Sequence, residues 1–412
     1  MNVRWMVFAL GVAACASTES IVDPASPDDS HAVPSPPALD SGLDATPELD
    51  AGPCADCEYF PAVCAADTLC PNGPFDSSLG GNGYDPRVTI NVIRGRSATD
   101  VWAGGTMGGI AHFDGTSWTR LDLSNRETVR GLWLRDSGEF AIASWWVGYS
   151  RGLTVVDAGA NPSAGGWTFT TPTLSPDLTY TLPGLPIPMP VTIAYARLAH
   201  AWSAPGSSWL WCTSLTGGIG VPGLTGLWRI RQLPSDELEI HAGVAWPGCV
   251  DSGCMQMRSI HGASADELWA VGESGAAVMV LDAEGDTPSV MASNTQTLNA
   301  LNGVWVASTS DAWAVGANGT IRHSAGHSSL WDVVSDVPTS EALQAVWGSS
   351  STDIWAVGDA GVVLHYDGKS WSRVKVAGLG TSRPNLTTVW VPAPGHVWVG
   401  GQGVILSLGG KP

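Results

Sequence analysis

Three residue types recur along this chain at spacings that could support chemistry. The chain has 21 tryptophans, whose flat rings would suit a carbohydrate-binding surface. One position of a repeated motif holds His112, His323 and His365, and an earlier position holds Asp100, Asp266, Asp311 and Asp353. Converging histidines can bind a metal ion, and positioned carboxylates can act as catalytic acids. Either site requires these residues to meet in space.

The regular recurrence of these residues favours a structural role instead. Equivalent residues of successive repeats lie on different structural units, so each histidine is expected to make a hydrogen bond within its own unit. The aspartates precede a strand, where short side chains accept hydrogen bonds from backbone N–H groups of a turn. The sequence therefore predicts no catalytic, cofactor-binding or metal-binding residues.

The tryptophans divide into two classes by their register in the repeat. Those at repeated positions are predicted to pack between units, since one ring can bury roughly 150–250 Å². The first such position holds Trp305, Trp347 and Trp390, and the second holds Trp102, Trp269, Trp313, Trp355 and Trp398. The candidates for exposed contacts are the tryptophans outside this register, namely Trp145, Trp146, Trp167, Trp209 and Trp246.

The repeat itself predicts the architecture. Its motif is Asp-x-Trp-Ala-Val-Gly, and the tryptophans of the last three copies, at 313, 355 and 398, are 42 and 43 residues apart. Each copy divides into four short strands joined by turns such as Asn318-Gly319, which is the pattern of a propeller blade. Seven copies are recognised, of which two, near Trp133 and Trp209, are degenerate. We predict an all-β, seven-bladed β-propeller over residues 87–412, with six or eight blades as the alternatives.

The last copy has no tryptophan-bearing fourth strand before Pro412. Residues 84–92, which precede the first copy, are predicted to supply the missing strand. Such a strand would close the ring and protect the edges of the terminal blades.

The first 15 residues have the form of a secretion signal. Arg4 is followed by an apolar run from Trp5 to Ala14, which is too short to span a bilayer. The pair Ala14-Cys15 resembles the bacterial lipobox, which implies cleavage before Cys15 and acylation of its thiol. No aspartate follows Cys15, which favours an outer-membrane location in the cell envelope. An ordinary cleaved signal is the alternative.

Between this signal and the repeats lie two segments of different composition. Residues 16–53 are rich in Pro, Ser, Asp and Ala and are predicted to form a disordered tether. Residues 54–86 form a small cysteine-rich segment and linker, with Cys54, Cys57, Cys64 and Cys70 crowded together. These four, with Cys249 and Cys254, are candidates for disulfides in an exported protein. A zinc site is the alternative for the cluster, and Cys212 stands alone.

The charge distribution argues against nucleic acid as a partner. Residues 16–86 contain 13 acidic residues and no Lys or Arg, whereas residues 87–412 contain 25 acidic and 18 basic residues. The net charge of −19 therefore belongs mainly to the tether. No basic stripe of the kind that binds nucleic acid is visible.

The repeats resemble those of a broad group of bacterial sialidase-type β-propeller proteins, some of which are lipoproteins. The resemblance rests on Asp-x-Trp-Ala-Val-Gly followed by x-His-x-Asp-Gly-x-x-Trp and covers about residues 88–408. It implies the fold and not an activity. The sialidase Asp-box has the order Ser-x-Asp-x-Gly, whereas Asp114-Gly115 and Asp367-Gly368 are adjacent here.

Together these features predict a surface-tethered, non-catalytic binding lipoprotein whose protein or glycan ligand is unknown. No nucleophile elbow, H-E-x-x-H motif or phosphate loop is present. The alternative is a secreted hydrolase or lyase that acts on glycans at the propeller mouth. An insertion at about residues 157–193 either carries function or caps an edge, and the sequence leaves both open.

Overall fold

The computed structural model describes residues 56–75, 83–153, 163, 165–182, 185–193, 196–216, 223–326 and 329–411. Residues 1–55, which include Cys15, the predicted tether and Cys54, lie outside the described residues, as does part of the 157–193 insertion. Residues 54–412 group as one unit. No helix of the described part is long and apolar enough to cross a membrane.

Seven antiparallel sheets of four main strands follow one another along the chain and form seven blades. The strands of the first three blades are, in blade 1, β2 (Ile90–Ser97), β3 (Asp100–Gly105), β4 (Ile110–Phe113) and β5 (Trp118–Leu121); in blade 2, β6 (Gly131–Arg135), β7 (Gly138–Ser144), β8 (Val147–Arg151) and β9 (Thr168–Thr170); and in blade 3, β13 (Ala196–Trp202), β14 (Trp209–Thr216), β15 (Leu227–Gln232) and β16 (Leu238–Ala242). The next three blades are β17 (Met257–Gly262), β18 (Glu267–Gly272), β19 (Ala277–Leu281) and β20 (Ser289–Ser293); β21 (Leu301–Ser308), β22 (Asp311–Gly316), β23 (Ile321–Ala325) and β24 (Asp332–Val333); and β25 (Leu343–Ser350), β26 (Asp353–Gly358), β27 (Val363–Tyr366) and β28 (Trp371–Arg373). Blade 7 contains β29 (Leu386–Ala393), β30 (His396–Gly401), β31 (Val404–Leu408) and, from the cysteine-rich segment, β1 (Leu69–Pro71).

The remaining elements are short. Strand β10 (Thr173–Leu174) adds to the outer edge of blade 3, and β11 (Thr179–Leu182) pairs with β12 (Leu185–Pro190) in a separate hairpin. The helix α1 (Trp246–Ser252) joins blades 3 and 4. Single 3₁₀ turns lie at Cys57–Tyr59, Glu273–Gly275, Ala317–Gly319 and Asp359–Gly361.

The first strands of the seven blades form a closed ring around a central channel. Each first strand contacts the first strands of the blades before and after it, and β29 of blade 7 contacts β2 of blade 1. The prediction of a seven-bladed propeller is therefore confirmed, and both degenerate copies are complete blades.

The strand that closes blade 7 comes from a different segment than the sequence predicted. Residues 90–97 form the inner strand of blade 1, so the prediction that residues 84–92 complete blade 7 is wrong. The closing strand is β1, whose Leu69 pairs with Leu408 and Cys70 with Ser407. Leu69 is fully buried in the blade 7 core. This three-residue strand has no repeat motif to reveal it, because it joins the sheet through backbone pairing.

The cysteines of the described part form local bridges. Cys64 is bonded to Cys70 beside β1, and Cys249 to Cys254 around the end of α1. Cys57 is also disulfide-bonded. Cys212 is a buried free thiol on β14, and its burial raises the pKa of the thiol.

Tryptophans hold neighbouring blades together through one repeated contact. The second-strand ring of each of four blades packs against a tryptophan at the outer strand of the following blade. The ring centroids are 5.7 Å apart for Trp102 and Trp167, 4.9 Å for Trp269 and Trp331, 5.7 Å for Trp313 and Trp371, and 5.4 Å for Trp398 and Trp118. Trp355 packs in the same core cluster as Leu69 of the closing strand. All five second-strand rings of the repeat core are buried.

Three of the tryptophans predicted to make exposed contacts are buried instead. Trp167 precedes β9 and is the outer-strand tryptophan of blade 2, displaced in sequence by the insertion. The indole N–H of Trp145 donates to Ala196 O over 2.8 Å and ties blade 2 to blade 3. Trp209 lies under Arg229, whose guanidinium is 4.1 Å from its ring centroid. Trp146 is 44% exposed, and Trp246 is half-buried.

Replacing a second-strand ring should destabilise the propeller far more than replacing the exposed one. Trp313→Ala removes a buried ring between blades 5 and 6 and should cost about 3–5 kcal/mol of unfolding free energy. Trp146→Ala is the matched control and should cost little, because its ring is already hydrated. Denaturant unfolding of both variants measures the difference. Equal unfolding midpoints would contradict this account of the blade interfaces.

Candidate functional site

The recurring histidines and aspartates form a structural unit inside single blades. The Nε2–H of His112 donates to Asp100 over 2.8 Å, and the same bond joins His323 to Asp311 at 2.9 Å and His365 to Asp353 at 2.8 Å. Each imidazole also packs on the second-strand tryptophan of its blade, with centroid separations of 4.1 to 4.4 Å. These units lie in blades 1, 5 and 6 and do not converge.

The aspartates of this unit differ in one respect from the sequence prediction. Asp311 and Asp353 accept bonds from tryptophan and histidine side chains, whereas backbone N–H donors were predicted. Asp266 does accept a backbone N–H, from Glu284 at 3.3 Å. The predicted turn geometry occurs instead at Asp114 and Asp367, whose carboxylates accept two N–H bonds each across the Asp-Gly turns.

One position of the first strand can be compared across all seven blades. It is the residue paired across the sheet with the second-strand aromatic ring. In order of blades, this inner-ring position holds Arg94, Trp133, Trp202, His261, Trp305, Trp347 and Trp390. Five blades therefore carry tryptophan, and blades 1 and 4 carry Arg94 and His261 in its place.

Arg94 and His261 are two departures from the repeat. A third lies on the first strand of blade 3, two residues before the inner-ring position. Blade 3 has His200 there. The other blades have Val92, Gly131, Ser259, Gly303, Ala345 and Thr388. A residue that packs blades is expected to recur, so the positions that break the repeat are the ones to examine for function.

The three departures meet across the channel at Trp347. The Arg94 guanidinium lies 4.4 Å from the Trp347 ring centroid, and its Nη2 is 3.0 Å from His200 Nε2. The His261 ring meets Trp347 edge-on, with centroids 4.7 Å apart. Residues from blades 1, 3, 4 and 6 thus form one cluster, which we call the throat.

Both throat histidines also accept a backbone N–H from the next blade. His200 Nδ1 accepts from Ile260 over 3.5 Å, and His261 Nδ1 accepts from Val306 over 3.1 Å. Burial, with a smaller contribution from the Arg94 charge, lowers the pKa of His200 to about 3 and that of His261 well below its usual range. Burial lowers the pKa of Arg94 to about 10, so at neutral pH the throat holds one cation and two neutral imidazoles.

A funnel of about 800 Å³ opens from the throat at the C-terminal ends of the first strands. Its wall includes the inner-ring residues Trp133, Trp202 and Trp390, which are 3%, 7% and 6% exposed. Arg94 forms its floor with Trp347. Higher on the wall, Arg96 is ion-paired with Asp100 and Glu139.

The funnel carries uncompensated positive charge in an acidic protein. Arg135 lies over Trp133, with its guanidinium carbon 4.6 Å from the ring centroid. Neither Arg94 nor Arg135 makes an ion pair in the part of the chain that the structure describes. Among the described residues, Asp136 is the one carboxylate that lines this cavity.

The cavity on the opposite side of the throat is smaller, about 180 Å³. Polar side chains at the second residue of three first strands tie their blades to the next blade there. Asn91 donates to Val129 O over 3.3 Å, Asn302 donates to Leu343 O over 2.9 Å, and Thr387 donates to Ile90 O. These side chains are committed to closing the ring, so the funnel is the better candidate for a ligand site.

The 157–193 insertion contains β9, the outer strand of blade 2, and several of its later described residues pack near blade 3. Leu174, Leu178 and Tyr180 lie against the blade 2 and blade 3 core, and the Tyr180 ring meets Trp246 edge-on. None of its described residues lines the funnel or the smaller cavity. The arrangement fits the capping interpretation of this segment.

Arg94, His200 and His261 were not predicted from the sequence, although a signal for them was present. Aligning the seven first strands places Arg94 and His261 where the other copies have Trp, and His200 where they have smaller side chains. Among the described residues, no three His, Cys, Asp or Glu side chains form a group that could hold a metal ion.

The comparisons with known proteins bear on the fold. No protein-family model matches the chain, and the search of curated proteins found no match either. A structure of YCF48 bound to D1 peptide is similar, with a TM-score of 0.53, 15% identity and coverage of 85% of this chain and 96% of that chain. YCF48 from Cyanidioschyzon merolae has a TM-score of 0.54, 13% identity and coverage of 78% and 95%.

A third similar structure is the extracellular domain of the hybrid two-component system BT3049 from B. thetaiotaomicron. Its TM-score is 0.52 at 10% identity, and the match covers 79% of this chain and 40% of that chain. At these identities the similarity establishes the β-propeller fold and no more.

Acidification should destabilise the propeller through His200. The pKa of this residue is about 3 in the folded chain and about 6.5 when unfolded, so between these values the unfolded chain binds one more proton. The free energy of unfolding is therefore unaffected by protonation of His200 above about pH 6.5 and decreases as the pH falls from there towards about 3.

Denaturant unfolding at about pH 7 and about pH 5 measures this effect, because most carboxylates stay ionised over that range. His200→Asn keeps an acceptor for the Ile260 N–H and should lose less stability than wild type over the same interval. Identical losses in both proteins would show that His200 does not carry the pH dependence.

Proposed function

We propose that this protein is a non-catalytic binding module of the bacterial cell envelope and that its funnel receives the ligand. The observation that carries the proposal is the concentration of repeat-breaking residues in the channel. Arg94, His200 and His261 replace residues that the repeat would supply, and Arg94 and His261 line the funnel, a cavity large enough for a ligand. Rigid scaffolds commonly place binding groups at such a mouth.

The chemistry of the funnel favours binding over glycan hydrolysis, the rival function. Glycosidases generally use two carboxylates on either side of the scissile bond. The described wall of the funnel holds Asp136 alone, beside Arg94 and Arg135. The throat histidines are held neutral by burial and are committed through Nδ1 to backbone N–H groups, which leaves them poorly suited as general bases.

The structural neighbours are consistent with a protein partner outside the cytoplasm. One neighbour is a propeller in complex with a peptide, and another is an extracellular domain. Acylated Cys15, followed by a flexible acidic segment over residues 16–53, would hold the propeller at the envelope, with the outer membrane as the favoured site. Two or more acyl chains suffice for stable anchoring.

Charge reversal at the funnel should weaken ligand binding without unfolding the blades. The full-length protein is used to capture partners from solubilised cell envelope and is screened in parallel against glycans and glycosidase substrates. Arg135→Glu should weaken capture by about tenfold or more, since a charged hydrogen bond contributes about 1.5–3 kcal/mol.

Arg126→Glu is the control, because Arg126 is exposed and lines neither channel cavity. Turnover of a glycan substrate by the wild-type protein would overturn the binding proposal. If Arg135→Glu captures the partner as well as wild type does, the ligand does not bind in the funnel.

The anchor is tested separately at Cys15. Cys15→Ser removes the acylated thiol, so the protein should move from the detergent-rich phase to the aqueous phase, or stay unprocessed. Mass spectrometry of the N-terminal peptide provides the direct readout, and Cys212→Ser serves as the cysteine control. An N-terminal peptide that carries no lipid in the wild-type protein would refute anchoring.

A further inference from the structure

The throat contains more hydrogen-bond donors than acceptors. Arg94 has only donors, and one of them is used by its Nη1 bond to the Ile93 carbonyl over 2.7 Å. Its Nη2 faces His200 Nε2 at 3.0 Å. His200 Nδ1 in turn faces the Ile260 N–H. A neutral imidazole has one N–H and one acceptor nitrogen, so it cannot accept at both.

Either tautomer of His200 therefore leaves an N–H without an acceptor. If Nδ1 accepts from Ile260, then Nε2–H confronts the Arg94 guanidinium. If Nε2 accepts from Arg94, then Nδ1–H confronts the Ile260 N–H. Protonation would make both contacts donor to donor. Arg94 lines both channel cavities, so an acceptor from outside the chain can reach its free N–H groups.

His261 adds a further donor to the same place. Its Nδ1 accepts from Val306, which assigns the proton to Nε2 in the neutral ring. No acceptor for this N–H is found among the described residues, and the ring stands against Trp347 beside Arg94. Arg94 and His261 thus present one full positive charge and an imidazole N–H beside the Trp347 ring at the floor of the funnel, whereas His200 lines the smaller cavity.

We propose that the throat binds a carboxylate, and that the carboxylate is the C-terminal group of a peptide that enters through the funnel. This inference rests on the proposed function and specifies its ligand. A carboxylate is acceptor-only and planar, and it matches the edge of a guanidinium. The face of Arg94 is stacked on Trp347, so the N–H groups at its edge that do not face Ile93 O and His200 remain for a ligand. One cation also matches a monoanion better than a phosphate dianion.

The shape of the site favours a chain end over a sugar. Arg94 and Trp347 line both channel cavities and so lie between them, and a group that enters through the funnel reaches Arg94 at the throat. The funnel tryptophans are almost completely buried, so they offer ring edges and not the open faces on which sugars stack. Leu132 and Pro205 complete an apolar wall suited to the last side chains of a peptide.

The test compares two libraries of random biotinylated octapeptides that differ only at the C-terminus. One library ends in the free acid and the other in the carboxamide, and both are offered to the full-length wild-type protein. The free-acid library should be enriched, and amidation of a selected peptide should weaken binding by about tenfold to a hundredfold, as expected for loss of a charged hydrogen bond. This comparison needs no variant.

Variants then locate the site. Arg94→Gln should reduce affinity for the selected peptide by a similar factor, and Arg94→Lys should restore part of it. Arg87→Gln is the matched control, since the Arg87 side chain is 80% exposed, pairs with Asp85 and lines neither cavity. Thermal unfolding checks that each variant is folded.

Three outcomes would overturn the inference. They are equal binding of acid and carboxamide peptides, failure of the free-acid library to be enriched, and preferential binding of an acidic oligosaccharide such as polygalacturonate. The proposed binding function is judged separately. If the wild-type protein captures a partner and Arg135→Glu does not, that function stands in each of these three cases. Glycan turnover would instead overturn that function.

Discussion

The contact on which this molecule depends is the one between a second-strand tryptophan and the outer strand of the next blade. A four-stranded sheet has two faces and cannot bury both alone, so each blade is stable only against its neighbours. Trp102, Trp269, Trp313 and Trp398 each place a large ring into that interface, against an aromatic ring of the following blade. The recurrence of tryptophan in the sequence follows directly from this requirement.

The same requirement explains how the ring closes. Blade 7 has three strands from the end of the chain and therefore an open outer edge next to Trp355. The cysteine-rich segment fills this edge with β1, and Leu69 occupies the place that a tryptophan takes elsewhere. Contacts of the same segment with blade 6 reinforce the closure, since the Arg383 guanidinium lies 3.6 Å from the Phe60 ring centroid. The two ends of the propeller are thus joined without a covalent bond between them.

A repeat that builds a scaffold also makes departures from it informative. The inner-ring position serves packing where it is tryptophan, and substitution by Arg94 or His261 gives up that packing. This loss occurs in blades 1 and 4, whose side chains converge on Trp347 of blade 6, and His200 of blade 3 joins them through Arg94. Blade contacts in the throat are retained through the histidine Nδ1 atoms, which accept backbone N–H groups as Ser259 does for Val304. The candidate-site histidines therefore also take part in the hydrogen bonds that join neighbouring first strands.

The amino-acid sequence by itself determined the fold class, the blade count and the blade core, because these depend on local periodicity and turn residues. A tryptophan that recurs on the second strand of each copy can be recognised without knowing which blade lies beside it. Tertiary structure decided the rest. Trp167 is buried because an insertion changes sequence spacing but not the place of the ring. Trp145 is buried because it packs between blades 2 and 3, and β1 pairs through backbone groups that leave no mark on side-chain type. The throat exists only after closure, since Arg94, His200, His261 and Trp347 belong to four blades and meet because the sheets are arranged in a circle.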